Sequence, residues 1–133
     1  MPLIQWNDTL SVNIEAIDRQ HQQLIQLINN LHEAMKERKA KEILGRLIED
    51  LSGYAQNHFL TEEKLFIKHG YPQQTTHINE HNRFIDQVVD FKNSFEAGRT
   101  TLSLDIMNFL NQWLLDHIRK SDKAYAPFLK GKV

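Results

Sequence analysis

Apolar residues recur every three or four positions along four separate stretches of this chain, and this spacing constrains the fold more than any other feature. An α-helix places such residues on one side, so each stretch predicts a helix that buries one face. Gly70, Pro72 and Gly98 interrupt the pattern, and the connections are short. Short connections favour antiparallel neighbours, so the sequence predicts an all-α fold, an antiparallel up-down-up-down four-helix bundle.

The four predicted helices are joined at residues 37–42, 70–75 and 97–101. An irregular N-terminal arm, residues 1 to about 17, precedes them, and a short C-terminal helix follows. We expect a single domain over residues 1–133. The inward-facing stripes are His21, Leu24, Ile28, Leu31 and Met35; Leu44, Ile48, Leu51, Ala55, His58, Glu62 and Leu65; His77, His81, Phe84, Val88, Phe91 and Phe95; and Ile106, Leu110, Trp113 and His117.

The composition excludes several classes of protein. There is no cysteine, so disulfides, thiolate zinc sites and iron–sulfur clusters are ruled out. Sixteen basic and seventeen acidic residues leave a net charge of −1, and no basic stripe indicates nucleic-acid binding. No apolar run approaches the roughly 18 residues that would insert into a membrane, and the N-terminus does not resemble a secretory signal. We therefore expect a cytoplasmic protein and, without an obvious apolar surface patch, a monomer.

The stripes contain residues that are unusual in a bundle core. Histidines and a glutamate continue the apolar seams, although burying titratable groups is costly unless each has a strong partner. Neutral imidazoles and carboxylates present mainly acceptor atoms to one another, so a shared cation would resolve the conflict. The residues concerned are His21, His58, Glu62, His77, His81 and His117.

The spacing of these residues supports a metal site. His58 and Glu62, like His77 and His81, are four residues apart and therefore lie one turn apart on one helix face. A single pair of this kind is usually a surface pair, but two inward pairs with further inward histidines are a stronger signal. Asp122 follows His117 by five residues, about 140° around a regular helix. Asp122 can join the site only if the helix distorts or ends near Lys120; otherwise it caps the next segment.

Seven candidate ligands exceed the needs of one ion, so we expect two. Imidazole and carboxylate ligands without thiolates suit iron and disfavour calcium or magnesium. If Glu62, Asp122 and a solvent-derived oxygen bridge both ions, the five histidines divide three and two. One ion then has six ligands and the other five, which leaves an open position for a small molecule.

These segments resemble the hemerythrin family. The resemblance runs from Trp6 to about Phe128 and includes "IDRQH" ending at His21, "HFLTEE" from His58, "GYP", "HINEH" from His77 to His81, and "WLLDHIRKSD" ending at Asp122. All seven liganding positions of the family match. As a free-standing domain the chain is most similar to the single-domain bacterial members.

The resemblance implies a non-haem di-iron centre with an oxo or hydroxo bridge. His77, His81 and His117 would hold the six-coordinate iron, and His21 and His58 the five-coordinate iron. Glu62 and Asp122 would bridge the two ions. The implied function is reversible dioxygen binding for transport, storage or delivery, not enzyme catalysis, with an unidentified oxygen-accepting protein as a possible partner.

Reversible binding needs a dry pocket, and residues near the ligands would build it. We expect Leu24, Phe59, Trp113 and Leu114 to line this oxygen pocket, with Leu114 over the open iron. The alternatives are a di-iron oxidase or peroxidase, and a sensor or scavenger of oxygen, nitric oxide or iron. Oxygen-activating di-iron enzymes draw mostly on glutamates, whereas this chain supplies five histidines and two carboxylates.

Other polar and aromatic residues receive ordinary roles. We expect His32 to be solvated and His69 to lie at a helix C-terminus, where positive charge is favoured. Glu63 could support a ligand histidine, but a surface salt bridge is the expected role. Trp6, Tyr71 and Tyr125 are expected to anchor the arm, a loop and the tail by packing.

Overall fold

A computed structural model describes residues 5–39, 41–98 and 104–132, with side chains in the last range from residue 108 onward. These ranges contain helices and no strand, which confirms the all-α prediction. Four long helices are followed by a short one. They are α1 (Glu15–Lys36), α2 (Lys41–His69), α3 (Gln74–Glu96), α4 (Leu104–Asp116) and α5 (Lys123–Leu129).

The long helices form the predicted four-helix bundle. α2 packs against both α1 and α3, and α1 also packs against α4. Phe84 of α3 stacks on Trp113 of α4 with ring centroids 4.3 Å apart. The stripe residues described here are mostly buried, whereas the side chain of Ile106 lies outside the described residues.

The break between α2 and α3 follows from its sequence. Gly70 has a φ of 68°, a left-handed conformation that glycine adopts without steric cost. The N–H of Tyr71 donates to the carbonyl of Phe66 over 2.9 Å, which closes the end of α2. This turn directs α3 back along α2, so the pairs His58/Glu62 and His77/His81 come to the same end of the bundle.

The predicted N-terminal arm is present. It contains a 3-10 turn, Asp8–Leu10, and ends where α1 begins at Glu15, about three residues early. Asp18 fixes this boundary, because it accepts hydrogen bonds from the Val12 N–H (2.9 Å) and the Ser11 hydroxyl (2.6 Å). These two bonds hold the arm against the first turn of α1, and apolar spacing alone does not reveal them; they are not helix caps, because neither donor belongs to the helix.

The described core has two parts. The bundle core is the set of buried apolar residues between the four long helices, including Leu24, Ile48, Leu51, Val88 and Leu110. The arm-side core joins the arm, α2 and the tail; its buried members are Val12, Ile14, Ile17, Phe66, Tyr71, Tyr125 and Leu129.

The predicted packing anchors belong to these cores. Tyr71 and Tyr125 are buried in the arm-side core, and Trp6 packs against the bundle core. Within the described ranges, no helix combines the length and apolar character that crossing a lipid bilayer requires.

Candidate metal centre

A π-helical turn, residues His117–Asp122, separates α4 from α5. A π-helix is closed by hydrogen bonds between residues five apart, so such residues lie one above the other. His117 Nε2 consequently lies 3.1 Å from Asp122 Oδ1. The distortion that we predicted near Lys120 is thus present. The alternative, in which Asp122 caps α5, is wrong, because its side chain makes no capping hydrogen bond there.

All seven predicted site residues lie at one end of the bundle and are buried. Their donor atoms fall into two overlapping groups, and within each group the atoms lie within 4.8 Å of one another. Both groups contain Glu62 and Asp122. The three-histidine group adds His77, His81 and His117; the two-histidine group adds His21 and His58.

The two carboxylates occupy the centre because each faces histidines of both groups. Glu62 Oε1 lies 3.2 Å from the Nε2 atoms of both His58 and His81. Asp122 lies 2.9 Å from His21 Nε2 and 3.0 Å from His77 Nε2. A carboxylate in such a position can bridge two ions, one in each group.

The unsatisfied atoms at this centre fit a metal site. His81 Nε2 and His117 Nε2 face each other at 3.1 Å, and these two nitrogens cannot satisfy each other when both imidazoles are neutral with the hydrogen on Nδ1. Within the described residues, neither oxygen of Glu62 or Asp122 receives a well-oriented hydrogen bond, although all four are buried. Burial without such bonds is costly, and bound cations would remove the cost. The imidazole and carboxylate donors suit iron, and also zinc or manganese.

The electrostatics of the centre also favour positive charge. Burial alone would raise the pKa of Asp122, but the positive charge of His117, whose Nε2 lies 3.1 Å from Asp122 Oδ1, outweighs it and holds that pKa well below its ordinary value. Burial opposes protonation of His117, but Asp122 and Glu80 raise its pKa to about 10. The pKa of His21 is raised for the same reason, by Asp122 and Glu62 against its burial. The two carboxylates therefore hold positive charge, which metal ions supply when they displace protons.

Among the described residues, three further polar side chains contact the Nδ1 atoms of site histidines from outside. The Nδ1–H of His58 donates to Gln20 over 2.6 Å, and that of His81 donates to Glu63 over 2.9 Å. His117 Nδ1 lies 3.5 Å from Glu80, which also accepts a 2.6 Å hydrogen bond from the Ser121 hydroxyl.

The sequence-based prediction of a surface salt bridge for Glu63 is wrong, because its carboxylate faces His81 of the next helix. Gln20 and Glu80 were not predicted to contact the site. One signal was available, because each of the three residues is adjacent in sequence to a candidate ligand: Gln20 to His21, Glu63 to Glu62, and Glu80 to His81.

The predicted oxygen-pocket residues lie at this end of the bundle core. Leu24, Phe59 and Leu114 are buried within it, and Trp113 is partly buried against it. Phe59 stacks on His81 with centroids 3.9 Å apart, and Trp113 stacks on His117 at 4.5 Å. Both aromatic rings thus support the three-histidine group, and their role in binding oxygen stays a prediction.

The other two histidines lie outside both groups. His69 is the last residue of α2, at the helix C-terminus where we expected it. His32 was expected to be solvated, but it is half-buried on α1. Its Nδ1 atom is buried and lacks a hydrogen-bond partner within the described residues.

The fold and this cluster define a helical-bundle protein with a candidate two-ion metal centre. A family model, the hemerythrin HHE cation binding domain, matches residues 12–129. The bacteriohemerythrin of Stenotrophomonas maltophilia is 35 % identical over 133 residues, all of this chain and 86 % of that protein. The bacteriohemerythrin of Methylococcus capsulatus is 32 % identical and covers 98 % of this chain and 100 % of that protein.

A similarity of structure accompanies the similarity of sequence. A crystal structure of wild-type hemerythrin superposes with a TM-score of 0.89 at 29 % identity, covering 94 % of this chain and 96 % of the other. This chain belongs to the hemerythrin family.

Proposed function

We propose that this protein holds two iron ions in the buried cluster and binds dioxygen reversibly, for transport, storage or delivery. The observation that carries the proposal is the inequality of the two donor groups. The three-histidine group has five donor residues and the two-histidine group has four, with the same two carboxylates in both. An ion in the smaller group would have fewer protein ligands, and a coordination position would remain for a small molecule.

His77, His81 and His117 would hold one ion, His21 and His58 the other, and Glu62 and Asp122 would bridge them. A pair of iron ions would supply the two electrons that dioxygen binding needs and would recover them on release. Five imidazoles and two carboxylates carry less negative charge than the glutamate-rich sites of oxygen-activating di-iron enzymes. This donor set favours reversible binding over oxidase or peroxidase activity.

The side chains around the cluster support a dry site. His21, Glu62 and Asp122 are 0 % exposed, and Leu24 and Leu114 are 2 % and 3 % exposed. Excluding water limits the access of protons and reductants to the centre. We propose that Leu24, Phe59, Trp113 and Leu114 exclude water in this way, with Leu114 next to the open position. A monomeric, cytoplasmic protein that delivers oxygen to an unidentified acceptor protein is the cellular role that we expect.

The first experiment is a visible absorption spectrum of anaerobically reduced, iron-loaded protein, recorded before air, in air and after argon. We expect a charge-transfer band that forms in air and disappears under argon. His77→Ala and Glu62→Ala are the matched variants, because each removes a candidate ligand and should lower the iron content. Irreversible conversion to an oxidised spectrum, with consumption of a co-substrate, would contradict reversible binding and favour the oxidase or sensor alternatives.

A further inference from the structure

The outer contacts of the cluster follow a helix-to-helix pattern. In each case, a residue next to a candidate ligand on one helix holds a histidine of the following helical segment. Gln20 of α1 contacts His58 of α2, and Glu63 of α2 contacts His81 of α3. Glu80 of α3 contacts His117, which follows α4. We call Gln20, Glu63 and Glu80 the brace residues.

The brace residues determine which nitrogen of each histidine faces the centre. A carboxylate or a carbonyl oxygen accepts a hydrogen bond, so the facing Nδ1 must carry the hydrogen. The Nε2 lone pair of a neutral imidazole then points inward, as a metal ligand requires. The brace thus fixes the ring orientation and the tautomer of His58 and His81, and the Glu80 carboxylate, 3.5 Å from His117 Nδ1, favours the same tautomer of His117.

The charge of the brace differs between the two donor groups. In the three-histidine group, His81 and His117 face the carboxylates of Glu63 and Glu80. In the two-histidine group, His58 faces the neutral amide of Gln20. The Nδ1 of His21 is buried and has no hydrogen-bond partner within the described residues. A carboxylate behind an imidazole makes that imidazole a stronger ligand than an amide does.

We propose that Glu63 and Glu80 are positioning residues that make the three-histidine position the stronger of the two, so that a first divalent ion binds there and a second binds beside His21 and His58. This inference rests on the proposed binding of two ions in the cluster, and it goes further by giving them an order. The two-histidine position, with its neutral brace, is the more readily vacated.

The test is a stepwise titration of the metal-free protein with Zn²⁺, followed by calorimetry and by nitrogen-15 NMR of the histidine rings. In the unmodified protein we expect two resolved steps. The first should shift the Nε2 resonances of His77, His81 and His117, and the second those of His21 and His58.

Three variants separate the role of the charge from a general structural role. Glu63→Gln and Glu80→Gln keep an acceptor oxygen but remove the negative charge. Each should weaken the first step by about 10- to 100-fold, the usual cost of losing such an outer contact, and leave the second step unchanged. Gln20→Glu is the converse variant, and it should strengthen the second step and bring the two affinities together.

The outcomes also separate this inference from the proposed function. If two ions bind but the first shifts His21 and His58, or if the glutamine variants leave the first step unchanged, the ordering inference is overturned. If no ion binds at any of the seven residues, the proposed function fails with it. If the order is found but no oxygen-dependent band forms in the iron-loaded protein, the inference stands and the proposed function does not.

Discussion

The two ends of this bundle use the same helices for opposite purposes. At the far end, Leu31, Ile48, Leu51, Val88 and Phe91 surround an apolar cavity of about 220 Å³. At the site end, the same helix faces bury five histidines and two carboxylates. Along α1, α2 and α3 the helical period continues from one end to the other and only the residue type on the buried face changes, whereas α4 passes into the π-helical turn at His117.

This contrast shows that the buried face of a bundle helix can form even where some of its polar groups lack hydrogen-bond partners. The far end is stabilised by the removal of apolar surface from water, which needs no partner outside the chain. The site end leaves buried carboxylate oxygens without well-oriented hydrogen bonds, which costs free energy until cations neutralise them. We expect the far end to support the bundle while the site end depends on metal.

Removing the metal should have a large effect, and local opening should increase mainly at the site end. If free metal exceeds its dissociation constant about 1,000-fold, binding contributes about 4 kcal/mol to the free energy of unfolding, and chelation removes it. Hydrogen exchange should then rise around residues 58–81 and 117–125 and change little around residues 44–55. His77→Ala is the control, since it should respond less to chelation. A uniform rise along the bundle would contradict the division into two ends.

Truncating the far end should weaken the whole bundle equally with and without metal. Ile48 is 1 % exposed and lines the apolar cavity at the far end. Ile48→Ala would enlarge this cavity, because the surrounding helices do not move inward to fill it. We expect a loss of about 2–5 kcal/mol in the free energy of unfolding, measured by urea denaturation, and unchanged metal affinity. Ile43→Ala is the control on the same helix, because Ile43 is 45 % exposed and should cost about 0.5 kcal/mol or less.

The sequence predicts the two ends to different degrees. The helical spacing was sufficient to predict the bundle, because apolar residues at steps of three and four positions form one buried face only on a helix. The spacing also predicted that the candidate ligands lie close together, since those residues continue the buried faces of the helices. It indicated that the helix near Asp122 must be irregular, but not that the irregularity is a π-helical turn, because several distortions would bring Asp122 inward.

The outer contacts were predicted only in part: a contact of Glu63 with a ligand histidine was one alternative, and Gln20 and Glu80 were not singled out. Glu63 lies about 100° around α2 from Glu62, which on an isolated helix predicts exposure. Whether it meets solvent or His81 depends on the rotation and spacing of α3, which one helix does not encode. The end of the arm was predicted to within about three residues, because apolar spacing does not reveal the contacts of Asp18 with Ser11 and Val12.

Leu114 lies where the two ends meet, and its truncation should change oxidation more than metal content. Leu114→Ala should retain iron but oxidise several-fold faster in air, because a smaller side chain admits water to the centre. Leu110→Ala is the matched control: it is one turn farther from His117 and similarly buried, at 4 % against 3 % exposed. Oxidation would be followed by the loss of the oxygen-dependent band. Equal rates in the two variants would remove Leu114 from its proposed role.

The smallest expected effect concerns the arm that covers the site end. Asp18→Ala removes the acceptor of the Ser11 and Val12 hydrogen bonds and should lower the free energy of unfolding by about 1–2 kcal/mol. Glu15→Ala lies one turn earlier, where the carboxylate forms only an exposed ion pair with Arg19, so it should cost about 0.5 kcal/mol or less.

If the site end depends on this arm, Asp18→Ala should also increase hydrogen exchange around Tyr125, in the arm-side core, and leave exchange around Ile48 unchanged. Equal exchange in both places would show that the arm stabilises the bundle as a whole, and the boundary between the two ends would then lie elsewhere.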